Sequence, residues 1–117
     1  VRDGYLADAL QSASPLSQDI FDETFEFAPA AIIYNKGAAL QQMMLSFLGE
    51  AYFQGCHDYL HDNLYGNARN DDFWSAMQRA VNDLGVALPS PVKTIMDTFV
   101  LQPGVPIVTV TRSYPPG

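Results

Sequence analysis

Apolar residues recur at helical spacing through most of the chain, and proline, glycine and polar clusters punctuate the runs. Leu6, Ala9, Leu10 and Ala13 share one face of a short helix predicted over 4–13, and Ser14-Pro15-Leu16-Ser17 ends it because proline cannot continue the hydrogen-bond ladder. Residues 18–30 interleave Asp19, Asp22, Glu23 and Glu26 with Ile20, Phe21, Phe25 and Phe27, a helical turn or an irregular loop that Pro29 must close. The clearest periodicity comes next. Leu40, Met43, Met44, Phe47 and Leu48 predict a helix over about 32–48, closed by Gly49. Gly37 lies inside it at roughly 1 kcal/mol relative to alanine, which predicts close approach of another backbone or a ligand.

A further helix over 50–64 would bury Tyr52 or Phe53, Cys56, Tyr59, Leu60 and Leu64, with Tyr65-Gly66-Asn67 closing it. The next begins after Asn70-Asp71-Asp72, whose side chains can cap free N–H groups. It turns Phe73, Trp74, Met77, Val81 and Leu84 inward and stops at Gly85. Leu88-Pro89-Ser90-Pro91 reads as a rigid linker. Ser90 would cap a last helix over 91–101, with Pro91 at its first position. After Gln102-Pro103-Gly104 the pattern changes: residues 105–111 are rich in valine, isoleucine and threonine and read as a strand. No second strand is legible to take its hydrogen bonds, so the expectation is the first strand of a following β domain. The helices do not recur at a fixed period, which excludes an α-solenoid.

Composition narrows the partners. With 48% hydrophobic and 12% aromatic residues in 117, the chain can pack a core of one domain at most. A net charge of −7 with six Lys plus Arg excludes nucleic acid as a partner. An acidic surface suits cationic ligands, such as peptides with a free amino terminus, and is equally ordinary solubility charge. Cys56 is the one cysteine, so neither an intramolecular disulfide nor a zinc–thiolate cluster can form. The first residue is not Met and the last are Pro115-Pro116-Gly117, from which a piece of a longer protein is expected.

Four sets of residues invite chemistry. His57-Asp58-Tyr59-Leu60-His61 has the i, i+4 histidine spacing of H-E-x-x-H metal sites. Asp58 is one methylene shorter than the glutamate that serves there as general base. The glutamates, Glu23, Glu26 and Glu50, all lie upstream, where no third ligand is expected. A solvated helix face is the simpler reading, and no metal ligand is assigned. Tyr34, with Lys36 beside it, is the second set: a phenol aimed at a reacting carbonyl can donate a hydrogen bond to the oxyanion of a tetrahedral intermediate. Pattern alone makes it a core aromatic. Asp19, Asp22, Glu23 and Glu26 imitate paired carboxylates but read better as a solvated loop. Ser17 and Ser46 lack the surroundings of a nucleophile for either histidine, and Cys56 reads as a small buried hydrophobe.

Short motifs line up in order along the chain: Ala9-Leu10-Gln11-Ser12-Ala13-Ser14-Pro15-Leu16, Tyr34-Asn35-Lys36-Gly37-Ala38, Leu48-Gly49-Glu50 with Phe53-Gln54-Gly55, then Tyr59-Leu60. Tyr65-Gly66-Asn67-Ala68, Asp72-Phe73-Trp74, Ile95-Met96-Asp97, Leu101-Gln102-Pro103-Gly104 and Pro106-Ile107-Val108-Thr109-Val110 continue the series. Together they resemble the aminopeptidase N (gluzincin, M1) family of zinc aminopeptidases, in a flavour closest to insect or other invertebrate members. Ala13-Ser14 stands where the family often has Ser-His, Phe99 replaces its usual tryptophan, and residues 28–33 depart from its Ser or Thr before the tyrosine. The resemblance implies a mainly α fold: the helical end of a thermolysin-like catalytic domain over 1–102, then a linker and the first strand of a β-sandwich domain over 103–117. It implies Tyr34 as the oxyanion-stabilising catalytic residue, and a zinc ion whose ligands lie outside this chain. The implied partners are peptide substrates with a free amino terminus and the remainder of the catalytic domain, in an extracellular or membrane-anchored cell-surface protein. The isolated piece should be inactive. Two other readings stand beside it: a catalytically dead member serving as a binding surface, and an unrelated acidic helical interaction module.

Overall fold

A computed structural model describes residues 15–16 and 31–114. The helix expected over 4–13 and the acidic stretch 18–30 lie outside the described residues. A π-helical turn, Ala31–Lys36, runs straight into α1 (Gly37–Leu48), followed by α2 (Glu50–Asp62), α3 (Asn70–Asp83) and α4 (Val92–Val100). The described part is thus mainly helical, as the helical end of a catalytic domain should be.

The breaks between helices have local causes. Gly49 takes φ 58° and ψ −128°, a region closed to residues with a Cβ, and its N–H reaches the Leu45 carbonyl at 3.0 Å. One residue therefore ends α1 and starts α2. At the end of α3, Gly85 (φ 65°) donates to the Asn82 carbonyl at 3.2 Å and Val86 to the Val81 carbonyl at 2.9 Å. These are the two bonds of a Schellman motif. α3 takes in Asn70-Asp71-Asp72 instead of following them: Arg69 is the cap residue, and the Asp72 carboxylate in the first turn accepts its N–H at 2.7 Å. The start of α4 differs from expectation. Pro91 occupies the cap position (φ −55°, ψ 146°) instead of the first helical one, and Val92 N–H is met by Gln78 Oε1 at 2.8 Å, not by Ser90.

Leu40, Met44 and Leu48 of α1 meet Ala51 of α2, Trp74, Met77, Ala80 and Val81 of α3, and Val92, Met96 and Val100 of α4 in one buried cluster. The closest approach is between α2 and α3. A Cβ at Gly55 would lie 2.6 Å from Met77 Sδ and 3.0 Å from Met77 Cα, so only glycine lets the two backbones meet there. The intimate contact expected at Gly37 is found at Gly55 instead; a Cβ at Gly37 would have nothing within 4 Å among the described residues.

That crossing also explains which large residues α2 leaves outside. Because Ala51 and Gly55 form the contact face, Tyr52, Cys56 and Tyr59 at its flanks are half-buried, and the Tyr59 ring meets Phe73 edge-on at 5.0 Å. Phe53 falls on the far side of the 3.6-residue turn and is exposed, which leaves Tyr52 as the inward member of that pair; Leu60, and Leu64 beyond the helix end, are exposed contrary to expectation. Leu84, at the α3 cap, is exposed as well. Residues 105–114 join no strand ladder among the described residues, and Ile107 is 93% exposed, with Val108 and Val110 close behind.

Candidate functional site

The Ala31–Lys36 turn opens the i→i+4 ladder of an ordinary helix by one residue, a distortion that recurs at functional sites. Tyr34 rides on it with 73% of its surface exposed, so its phenol is presented to solvent and not packed in the core. Lys36, two residues on, points the other way and is completely buried. Its ammonium lies 3.5 Å from the Gln102 carbonyl oxygen and 3.4 Å from that of Gly104, more than sixty residues along the chain. The turn that offers these carbonyls is held in place in two ways. Gln102 Nε2 donates to the Thr98 carbonyl at 2.7 Å, and Gly104 adopts φ 96°, which favours glycine. The lysine stem lines a cavity of about 360 Å³ with Leu40, Met43, Phe99, Val105 and Pro106. Beyond Met43 and Phe99 a second apolar hollow of about 410 Å³ continues past Phe47 and Ile95 to Leu88 and Pro89.

This arrangement separates the two residues that the sequence put together. Tyr34 can offer an O–H to something outside the unit, whereas Lys36 has its charge turned inward on carbonyl oxygens. No role of its own was legible for Lys36 in the sequence; the signal that could have marked it as buried is Ile32, Ile33, Ala39 and Leu40 at its helical neighbour positions. Which carbonyls would receive it was not legible.

The other candidates are not assembled into sites. The His57 and His61 rings stack 6.3 Å apart on an exposed face of α2. Their Nδ1 atoms face their own neighbours, Asp58 at 3.2 Å and Asp62 at 3.7 Å. Asp58 also accepts Gln54 Nε2 at 2.8 Å, and Asp62 pairs with Arg79. The hydrogen bond with His57 holds the Asp58 carboxyl below its usual range. Among the described residues no three His, Cys, Asp or Glu side chains converge on a point that could hold a metal ion. Ser46 Oγ donates to the Gln42 carbonyl of its own helix at 2.9 Å, away from either histidine. Cys56 is half-buried beside Tyr52, whose phenol is pushed up first by burial and then by the thiol, and which donates to Gln41 Oε1 at 3.0 Å. Ser17 and the four carboxylates of 19–26 lie outside the described residues.

A family model described as the peptidase family M1 domain matches residues 1–99. The chain belongs to peptidase family M1. It is 39% identical over 115 residues to human aminopeptidase N, covering 91% of this chain and 12% of that protein. Against chicken aminopeptidase Ey the identity is 39% over 108 residues, with 88% and 11% covered. Against the rat thyrotropin-releasing hormone-degrading ectoenzyme it is 36% over 111 residues, with 90% and 10% covered. This M1 chain therefore spans about a tenth of the length of the curated relatives it matches. The M1 segment carries no donor set among its described residues that fits a catalytic zinc, and the His57/His61 pair is a solvated helix face.

Proposed function

We propose that this chain is one part of a longer M1 aminopeptidase that removes amino-terminal residues from peptides, and that Tyr34 is its catalytic contribution. The observation that carries the reading is the exposed Tyr34 phenol on a helix-initiating π turn whose back is anchored through buried Lys36. A tyrosine so placed donates its O–H to the oxygen on which negative charge develops as the peptide carbonyl becomes tetrahedral. A rigid donor facing that oxygen stabilises the transition state more than the ground state. The zinc that the resemblance implies, which in such enzymes polarises the carbonyl and supplies the attacking water, takes its ligands from outside this chain.

Residues 1–102 then complete the catalytic domain, and 103–117 form the linker and first strand of the next one. The exposed apolar side chains of Ile107, Val108 and Val110 suit such a strand, since they gain cover only from a partner sheet. The substrates are peptides with a free amino terminus, and the remaining catalytic domain is the obligatory partner. The rat relative's name calls it an ectoenzyme, and we place the longer protein likewise at the cell surface or outside the cell, with membrane anchorage.

The test is Tyr34→Phe in the longer polypeptide, assayed on alanyl and leucyl p-nitroanilides. Loss of one oxyanion donor lowers kcat by about 10²–10³-fold with KM little changed; an unaltered kcat removes Tyr34 from the mechanism. The 117-residue chain alone should hydrolyse neither substrate, and turnover by it refutes the division of labour.

A further inference from the structure

We propose that Lys36 is a positioning residue for Tyr34: its buried ammonium locks the π turn to the carbonyls of the Gln102–Gly104 turn and so fixes where the phenol stands. The inference rests on the reading of Tyr34 as the oxyanion donor.

Three observations point the same way. Lys36 has no exposed surface, so its charge serves neither solubility nor substrate attraction. A buried ammonium is tolerated only where oxygen atoms replace its water, and the Gln102 and Gly104 carbonyls do so at 3.5 and 3.4 Å. Both carbonyls belong to a turn with its own restraints, the Gln102 side chain on the Thr98 carbonyl and Gly104 at φ 96°. The lysine is therefore tied to an ordered acceptor and not to a loose loop.

The geometry makes the lysine the means by which α1 learns where the far end of α4 is. Tyr34 and Lys36 share one turn of π-helix, Ala31–Lys36, so a shift of the lysine backbone carries the tyrosine with it. Among the described residues nothing lies within 4 Å of a Cβ at Gly37 and Tyr34 is itself mostly exposed, whereas the buried lysine ties the turn to a distant part of the chain. A displacement of about 1 Å at a catalytic group can cost on the order of 10²-fold in rate.

The experiment uses the longer polypeptide and five proteins: wild type, Lys36→Met, Lys36→Arg, Tyr34→Phe and the Lys36→Met/Tyr34→Phe double variant. Methionine keeps most of the stem volume beside Leu40, Met43 and Phe99 while removing the ammonium. Lys36→Met should lower kcat by about 10–100-fold with KM within about twofold, and Lys36→Arg should restore part of it. On the Tyr34→Phe background the same change should cost less than about twofold more, since a residue acting only through Tyr34 has nothing left to position. Losses that multiply in the double variant overturn the inference, as does a wild-type kcat in Lys36→Met. A Tyr34→Phe enzyme with full activity overturns the function reading itself, and that single variant distinguishes the two failures. Should Lys36→Met not fold, Gly104→Ala reports on the other half of the contact. Its Cβ meets nothing within 4 Å, so the strain at φ 96° moves the carbonyl without a clash. The same non-multiplying loss with Tyr34→Phe is expected, and a multiplying or absent loss overturns the proposal.

Discussion

At the α2–α3 crossing two backbones meet across Gly55 and Met77, while at the start of α1 no described residue lies against Gly37 and the Tyr34 ring is mostly exposed. Both regions are helical and both place a glycine inside a helix, yet the glycines have opposite meanings. Gly55 is required because the neighbouring helix occupies the volume of its missing side chain. Gly37 meets nothing within 4 Å among the described residues. The first region is finished packing. The second is a presented surface, held from behind by one buried lysine and flanked by the apolar hollows along Met43 and Phe99.

The contrast can be broken most forcefully at Met77, which is fully buried and seated on Gly55. Met77→Ala should destabilise the fold by about 2–5 kcal/mol, measured by urea unfolding, and a loss below that range would mean the crossing is looser than described. Gly55→Ala comes next. The added Cβ must push Met77 Sδ aside and crowd its Cα, costing about 1–3 kcal/mol and outweighing the gain in helix propensity. The double variant with Met77→Ala should lose less than the sum of the two single losses, because the sulfur that clashes is gone.

Gly37→Ala should go the other way, stabilising by up to about 1 kcal/mol in the same measurement on the isolated chain, since its Cβ meets nothing and its backbone is helical. In the longer polypeptide that gain should vanish if another part of the protein approaches there.

The smallest effect concerns Asp58, on the exposed face of α2. Its carboxyl is held below the usual value first by the hydrogen bond with His57. A lowered folded-state value contributes stability above the ordinary carboxylate pKa, and that contribution disappears as pH falls through the lowered one. A carbon-13 titration should show the low midpoint, and His57→Ala should return it toward the ordinary range. A midpoint unmoved by that change would dismiss the pairing.

Much of the helical order was legible before any coordinates. The apolar spacing of Leu40, Met44 and Leu48, the glycines at 49 and 85, and the acidic start of α3 are local signals, and each is read by the few residues around it. The motif series likewise pointed to the M1 family that the domain match establishes. Burial on α2 was misread because periodicity names an apolar side without saying which side a partner will cover. With small Ala51 and Gly55 making the contact, Leu60 and Leu64 were left outside.

The sequence by itself determined the helix breaks at Gly49 and Gly85, because glycine conformation and apolar repeats act within a turn or two, whereas the start of α4 is met by Gln78 of another helix. The tertiary structure alone decided which glycine is a contact and which is open. It also decided that Tyr34 is presented while Lys36 is buried, and that the lysine ends on carbonyls 66 and 68 residues away. Those outcomes depend on which elements approach one another, and the free energy of approach is spread over the whole core, so no local pattern encodes it.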